Sequence, residues 1–320
     1  MRLTFREKEI LGLLKQEPLI SQEEIAKRFG ITRSSVAVHI SNLMKKGVIL
    51  GKGYVLNDVV SVVVLGNCLL VIDVEDEGGT SSIDINWGGF AFAASQSLAD
   101  FGSSVKIVSI IGDDEQGELI LKQLSQKKID ISNIYRHNNK RTTRQVRHNG
   151  ELLFQEGFSP DDYEKVLNLR EWIIFNCEWL VVEPSWQEYV HRKAINKDAE
   201  KLPYLCTCLS LEADQLIPYY LNGFNLLVIG LADIIQFNNY RTRIQELIEA
   251  GMDHCIVTDG HSTVIHVNHR GMQEYPLLPN QSFHHAQHLL YLLCGMVYGL
   301  SNSYPLRQAI RMGVGTASMA

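Results

Sequence analysis

The chain has 320 residues, is 45% hydrophobic and 21% charged, and carries a net charge of −6. That composition can bury a sizeable core, and its acidity excludes a protein that coats nucleic acid along its whole surface. The charge is uneven: residues 1–58 hold ten Lys and Arg against six Asp and Glu, whereas residues 59–320 hold 20 against 30. A basic head on an acidic body is expected when only the head meets phosphate.

No stretch reaches the ~18 apolar residues of a membrane span, and no N-terminal run resembles a signal peptide. The expectation is a cytoplasmic protein with no membrane partner. The six cysteines are scattered and mostly in apolar surroundings. Cys206 and Cys208 form a lone C-x-C without a second pair at zinc spacing, so all six read as reduced thiols and no metal is expected.

Thr4 to Leu14 places Phe5, Ile10, Leu11 and Leu14 at helical spacing, and Pro18 closes that helix. Ser21 to Glu24 has the form of a capping box, opening a short helix that turns Ile25, Ala26 and Phe29 inward and stops at Gly30. Thr32 caps a third helix with Val36, Ile40 and Leu43 as its buried stripe. Its polar residues Arg33, Ser34, Ser35, His39 and Asn42 are expected on the opposite face, with Lys45 and Lys46 at its end. Val48 to Leu56 reads as a hairpin with Lys52 at a Gly-Lys-Gly tip. On the residues alone, a three-helix interaction module has the same beginning. The full order from Phe5 to Leu56 resembles the winged helix-turn-helix heads of bacterial transcription factors. That resemblance implies double-stranded DNA as partner, met by Thr32, Arg33, Ser34, Ser35, His39, Asn42, Lys45, Lys46 and Lys52.

From about residue 59 the pattern changes to apolar strands alternating with amphipathic helices. Strands are expected at Val59–Leu65, Val105–Ile111, Trp179–Val182, Leu202–Cys206, Leu226–Ile229 and Cys255–Thr258. This alternation predicts an α/β domain over residues 59–320, a parallel sheet sandwiched between helices. Ile83–Ile85 and Thr143–Gln155 are expected as antiparallel strands of a small lid.

Five stretches carry a resemblance to the ribokinase/PfkB family of sugar and nucleoside kinases: Trp87 to Ala94 with its paired Gly88 and Gly89, Ile111 to Glu118, Ile129 to Ile134, Val257 to Gly260, and Gly295 to Leu300. With the N-terminal head, the chain resembles the pseudouridine-kinase-like members most. The resemblance implies a ribokinase-like fold, with Gly88, Gly89, Asn67, Thr258 and Gly260 around a ligand cleft. In an active member it also implies ATP and Mg²⁺.

Phosphoryl transfer needs a base on the acceptor hydroxyl and donors for the transferring group. The family's Asp-Thr-x-Gly-Ala-Gly-Asp motif supplies both. Counted back from Gly295, it falls on His284 to Leu290, which puts Leu290 at the base position. No Asp or Glu occurs after Tyr275. The family's early substrate-binding Asp falls near Val71, and Asp73 would need a bulge to replace it. The Asn after the paired glycines is Ala93, and the Pro-Asn-x-x-Glu segment is Ile229 to Asp233. The expectation is therefore no catalytic residue and no cofactor. His284 and His288 are expected to share a helix face as a solvated or partner-facing cluster, with a metal site or a base role for His285 or His288 as rival readings. Asp113 and Asp114 are expected to cap a helix.

Three functions remain open. One is a homodimeric transcription regulator whose body senses a sugar or nucleoside. The second is an active sugar or nucleoside kinase with a DNA-binding head. The third is a scaffold without ligand.

Overall fold

A computed structural model describes residues 3–45, 49, 62–77, 80–198, 202–212 and 215–320. The chain divides into two compact units, Met1–Val60 and Ser61–Ala320.

The first unit contains α1 (Phe5–Gln16), α2 (Gln22–Phe29) and α3 (Arg33–Lys45). Thr4 and Glu7 form a capping box on α1, as Ser21 and Glu24 do on α2. Gly30 ends α2 at φ 62°, a left-handed conformation that costs a side-chain-free residue least. Ile10, Leu14, Ile25, Val36, Ile40 and Leu43 close the core. The expected hairpin lies outside the described residues, as do Lys46, Lys52 and the Lys45 side chain. Ile49 alone of that segment is described: it is buried in this core, and its N–H donates to the Leu43 carbonyl at 3.3 Å.

The second unit is built on an eight-stranded sheet. Its strands are β1 (Val62–Leu65), β4 (Val105–Val108), β9 (Trp179–Val182), β10 (Tyr204–Leu211), β11 (Leu226–Leu231), β12 (His254–Thr258), β13 (Thr263–Asn268) and β14 (Gly271–Pro276). They lie in the order β14-β13-β12-β11-β10-β9-β1-β4. β4 through β12 are parallel, and β13 and β14 close one edge antiparallel. The expected strand Val105–Ile111 is interrupted. At Ser109 the chain leaves β1, and β5 (Ile110–Gly112) pairs instead with β6 (Tyr135–His137).

Strand alternation sends Val62, Val64, Trp179, Val181, Cys206, Cys208, Leu226 and Val228 into one core. There they meet α4 (Phe90–Asp100), α5 (Glu115–Gln126), α9 (Leu289–Ser301) and α10 (Leu306–Ala317). The other sheet face carries α6 (Pro160–Ile174), α7 (Gln187–Ala194) and α8 (Phe237–Glu249). All six cysteines are buried and none is in a disulfide.

The lid is a second sheet with the order β3-β2-β7-β8, formed by β2 (Leu69–Glu77), β3 (Thr80–Gly88), β7 (Arg144–His148) and β8 (Glu151–Glu156). It is not wholly antiparallel as expected, because β7 runs parallel to β2. The β2 ladder holds one register from Leu69 to Glu77. Without a bulge, Asp73 keeps its own place two residue pairs beyond Val71, opposite Asp84 and Arg147.

Candidate functional site

The strand order creates a switch point between β1 and β9, from which successive strands are laid down in opposite directions. In open α/β sheets, ligands bind at such a point beyond the carboxyl ends of the strands. Asn67 follows β1 and Glu183 follows β9. The Asn67 N–H donates to Glu183 Oε2 at 2.5 Å, and its Nδ2 donates to Oε1 at 3.1 Å. Ser185 Oγ adds a third donor at 3.0 Å. Burial pushes the Glu183 carboxyl above the usual carboxylate range, and these hydrogen bonds oppose that shift. The Trp186 indole N–H reaches Asn67 Oδ1 at 3.4 Å.

Gly89 joins this cluster from the lid side. At φ 97° it opens α4, and a Cβ there would collide with the Asn67 carbonyl. That carbonyl accepts the Ala91 N–H at 3.1 Å. Gly88 ends β3 and lines a separate groove of about 750 Å³ with Phe92, Ala93 and Tyr291. Sequence reasoning missed Glu183. Its signal was a carboxylate directly after the apolar strand Trp179–Val182.

Thr258 and Gly260 form a different cluster. Thr258 Oγ1 accepts the Gly260 N–H at 3.0 Å. Thr258 ends β12 and Gly260 follows it, four strand spacings from β1, or about 19 Å across the sheet. The five predicted cleft residues are thus divided among three places: Asn67 with Gly89, Gly88 in its own groove, and Thr258 with Gly260. Gly260 packs on Phe283 and Gly230 on His285, so the segment before α9 crosses the ends of β11 and β12.

That segment is not helical, because α9 begins at Leu289. His284 and His288 therefore share no helix face, and the earlier expectation is corrected. His284 instead closes a turn. Its Nδ1 accepts the N–H groups of Ala286 at 3.2 Å and Gln287 at 3.3 Å, and its carbonyl accepts the His288 N–H at 3.0 Å. The ring must then carry its proton on Nε2. His284 and His285 stack with centroids 4.9 Å apart. Burial, followed by the His284 and His261 charges, holds the His285 imidazole below its usual range. Leu290 is partly buried and packs against the core.

Three successive amides of this turn have internal partners, and the residue opening the first turn of α9 is aliphatic. This arrangement does not fit a transferring phosphoryl group. Among the described residues, no cluster of three or more His, Cys, Asp or Glu could hold a metal ion. Asp114 caps α5 through the Gly117 N–H at 2.9 Å and also binds Thr142. Asp113 pairs with Arg136.

On α3, Thr32 Oγ1 accepts the Ser35 N–H at 3.1 Å, and the two hydroxyls lie 2.9 Å apart. Both residues therefore serve the cap. At 100° per residue, the direction opposite Val36, Ile40 and Leu43 falls on Ser34, Val38 and Ser41. Arg33 and His39 lie on the flanks, and Asn42 lies nearer the outer face. Arg33 stands 3.8 Å from Glu23 of α2. The expected face is corrected accordingly. Val38 was overlooked because the sequence reading looked for polar side chains.

A winged helix-turn-helix DNA-binding model matches residues 6–49, and a pfkB family carbohydrate kinase model matches residues 60–282. An Escherichia coli K12 protein named uncharacterized sugar kinase YeiI is 39% identical over 138 residues, which are 41% of this chain and 38% of that protein. Among solved structures, a PfkB protein from Polaromonas sp. JS666 aligns at TM-score 0.66 and 11% identity over 81% of this chain and 94% of its own. A Thermotoga maritima ribokinase aligns at 0.63 and 14%, covering 81% and 92%. Arabidopsis thaliana ribokinase, solved with ribose and ATP, aligns at 0.61 and 15% with the same coverage. These likenesses show a ribokinase-like fold. With an N-terminal winged helix-turn-helix, the chain belongs to the pfkB family of carbohydrate kinases.

Proposed function

We propose that this chain is a homodimeric, DNA-binding transcription regulator whose kinase-like body senses a sugar or nucleoside without phosphorylating it. The carrying observation is the turn before α9, where the His284 ring occupies the Ala286 and Gln287 amides; counted back from Gly295, the base position falls on Leu290. A group moving onto a hydroxyl there would find no carboxylate to take the proton. Losing a base alone typically costs ~10² or more in rate.

The Asn67–Glu183 cluster at the switch point supports the sensing role, because a buried carboxylate and amide can recognise hydroxyl groups. The lid supports the dimer. Ile72, Val74, Ile83, Ile85, Val146 and Phe154 share one face by register. Ile83, Ile85 and Phe154 are each more than half exposed. By strand geometry these six residues cover roughly 200 Å². An apolar face of this kind, bordered by the Arg144–Glu156 and His148–Asp76 pairs, suits packing against a second copy of itself.

The E. coli relative named as a sugar kinase favours a second reading, an active carbohydrate kinase with ATP and Mg²⁺ as cofactors. Selection of duplexes from a random pool by the full chain tests the regulator. The expected result is enrichment of a pseudo-palindromic sequence with salt-dependent affinity. Uniform recovery of all sequences overturns the DNA-binding part.

A further inference from the structure

The outer face of α3 is chemically unusual for a helix in water. Val38 lies at its centre, with Ser34 one turn before and Ser41 one turn after. Val38 is 58% exposed. A β-branched residue lowers helix propensity, and at an exposed position it gains nothing from burial. No Asp or Glu occurs between Arg33 and Lys45. The face is therefore small, partly apolar and free of charges that would repel a polyanion.

B-DNA's major groove admits an α-helix, and there thymine alone presents a C5 methyl group. A side chain ending in two methyl groups cannot hydrogen-bond a base edge, but it can cover that methyl. We propose that Val38 reads a thymine methyl at the centre of each operator half-site, flanked by hydroxyl contacts from Ser34 and Ser41. The inference rests on the DNA-binding reading above and adds a sequence requirement to it.

The test uses the full chain and a duplex enriched by selection. Each dT of the half-site is replaced singly by dU, which removes the methyl group and leaves every hydrogen-bonding edge intact. Fluorescence anisotropy then gives the dissociation constant for the wild type, Val38→Ser and Val38→Thr. Burying one methyl group corresponds to about a fourfold effect. The expected result is one dU position per half-site that weakens wild-type binding by about that factor. Val38→Ser should lose this sensitivity, and Val38→Thr, which keeps one methyl group, should retain part of it. A wild type indifferent to every dU, or a penalty that persists undiminished in Val38→Ser, overturns the proposal while leaving DNA binding intact. Failure to enrich any duplex overturns both.

Discussion

Asn67 and Glu183, 116 positions apart in sequence, meet through two hydrogen bonds where the sheet changes direction. Gly89 presses on the same loop, and its Cα hydrogen faces the Asn67 carbonyl. Gly89→Ala adds both a steric collision and a positive-φ penalty. The expected loss is about 2–4 kcal/mol, lowering the melting temperature by several degrees. Gly315→Ala is the control, since a Cβ there meets no atom within 4 Å. Calorimetric melts of both variants check this.

His254 and His266 share one ring-to-ring hydrogen bond of 3.2 Å. Burial and the His254 charge hold His266 down at about 4, and burial lowers His254 as well. A histidine in the unfolded chain titrates near 6.5. Between about pH 4 and 6.5 the unfolded state therefore binds more protons, so stability rises with pH across that window. The contribution is fully present above it and is lost as the pH falls. Melting temperature should drop from pH 7 to pH 4.5, and His266→Phe should shrink that drop. An equal drop in both proteins counts against the histidine pair as the cause.

The lid face predicts a dimer that charge can break. Phe154→Arg and Ile85→Arg each put a cation on the proposed contact, one at either edge strand of the lid. Sedimentation equilibrium should give a dimer for the parent chain and a monomer for either variant, with the fold retained by circular dichroism. A monomeric parent, or a dimer that survives both changes, removes the lid from the assembly.

Arg33 stands on the flank of α3 beside Glu23, not on its outer face. On the proposed DNA-binding reading, that position suits backbone phosphate more than a base edge. Arg33→Ala should weaken binding to all sequences alike and reduce the salt slope by about one counterion. A change in sequence preference at unchanged salt slope would assign it to a base instead.

Local chemistry was the legible part. The capping box at Ser21, the left-handed Gly30 and the buried stripe of α3 depend on residues within one turn of each other, and they appear as expected. The parallel strands were visible as apolar runs because both of their faces are covered. β2 escaped notice because its first half is continuously apolar and its second half acidic, which masks the alternation. β13 and β14 were missed as an edge hairpin. The pairing of Asn67 with Glu183 and the role of His284 depend on chain crossings that local spacing cannot encode. Counting back from Gly295 pointed to His284 to Leu290, but local spacing could not reveal that amides of this turn have internal partners.

The most direct test of the central claim is a turnover measurement. The full chain is incubated with ATP and Mg²⁺ and a panel of pentoses, hexoses and nucleosides, and phosphorylated products are quantified by mass spectrometry. The account predicts no product above one equivalent per chain for any member of the panel, and no gain from Gln287→Gly. Multiple turnovers on any of these sugars or nucleosides would contradict it.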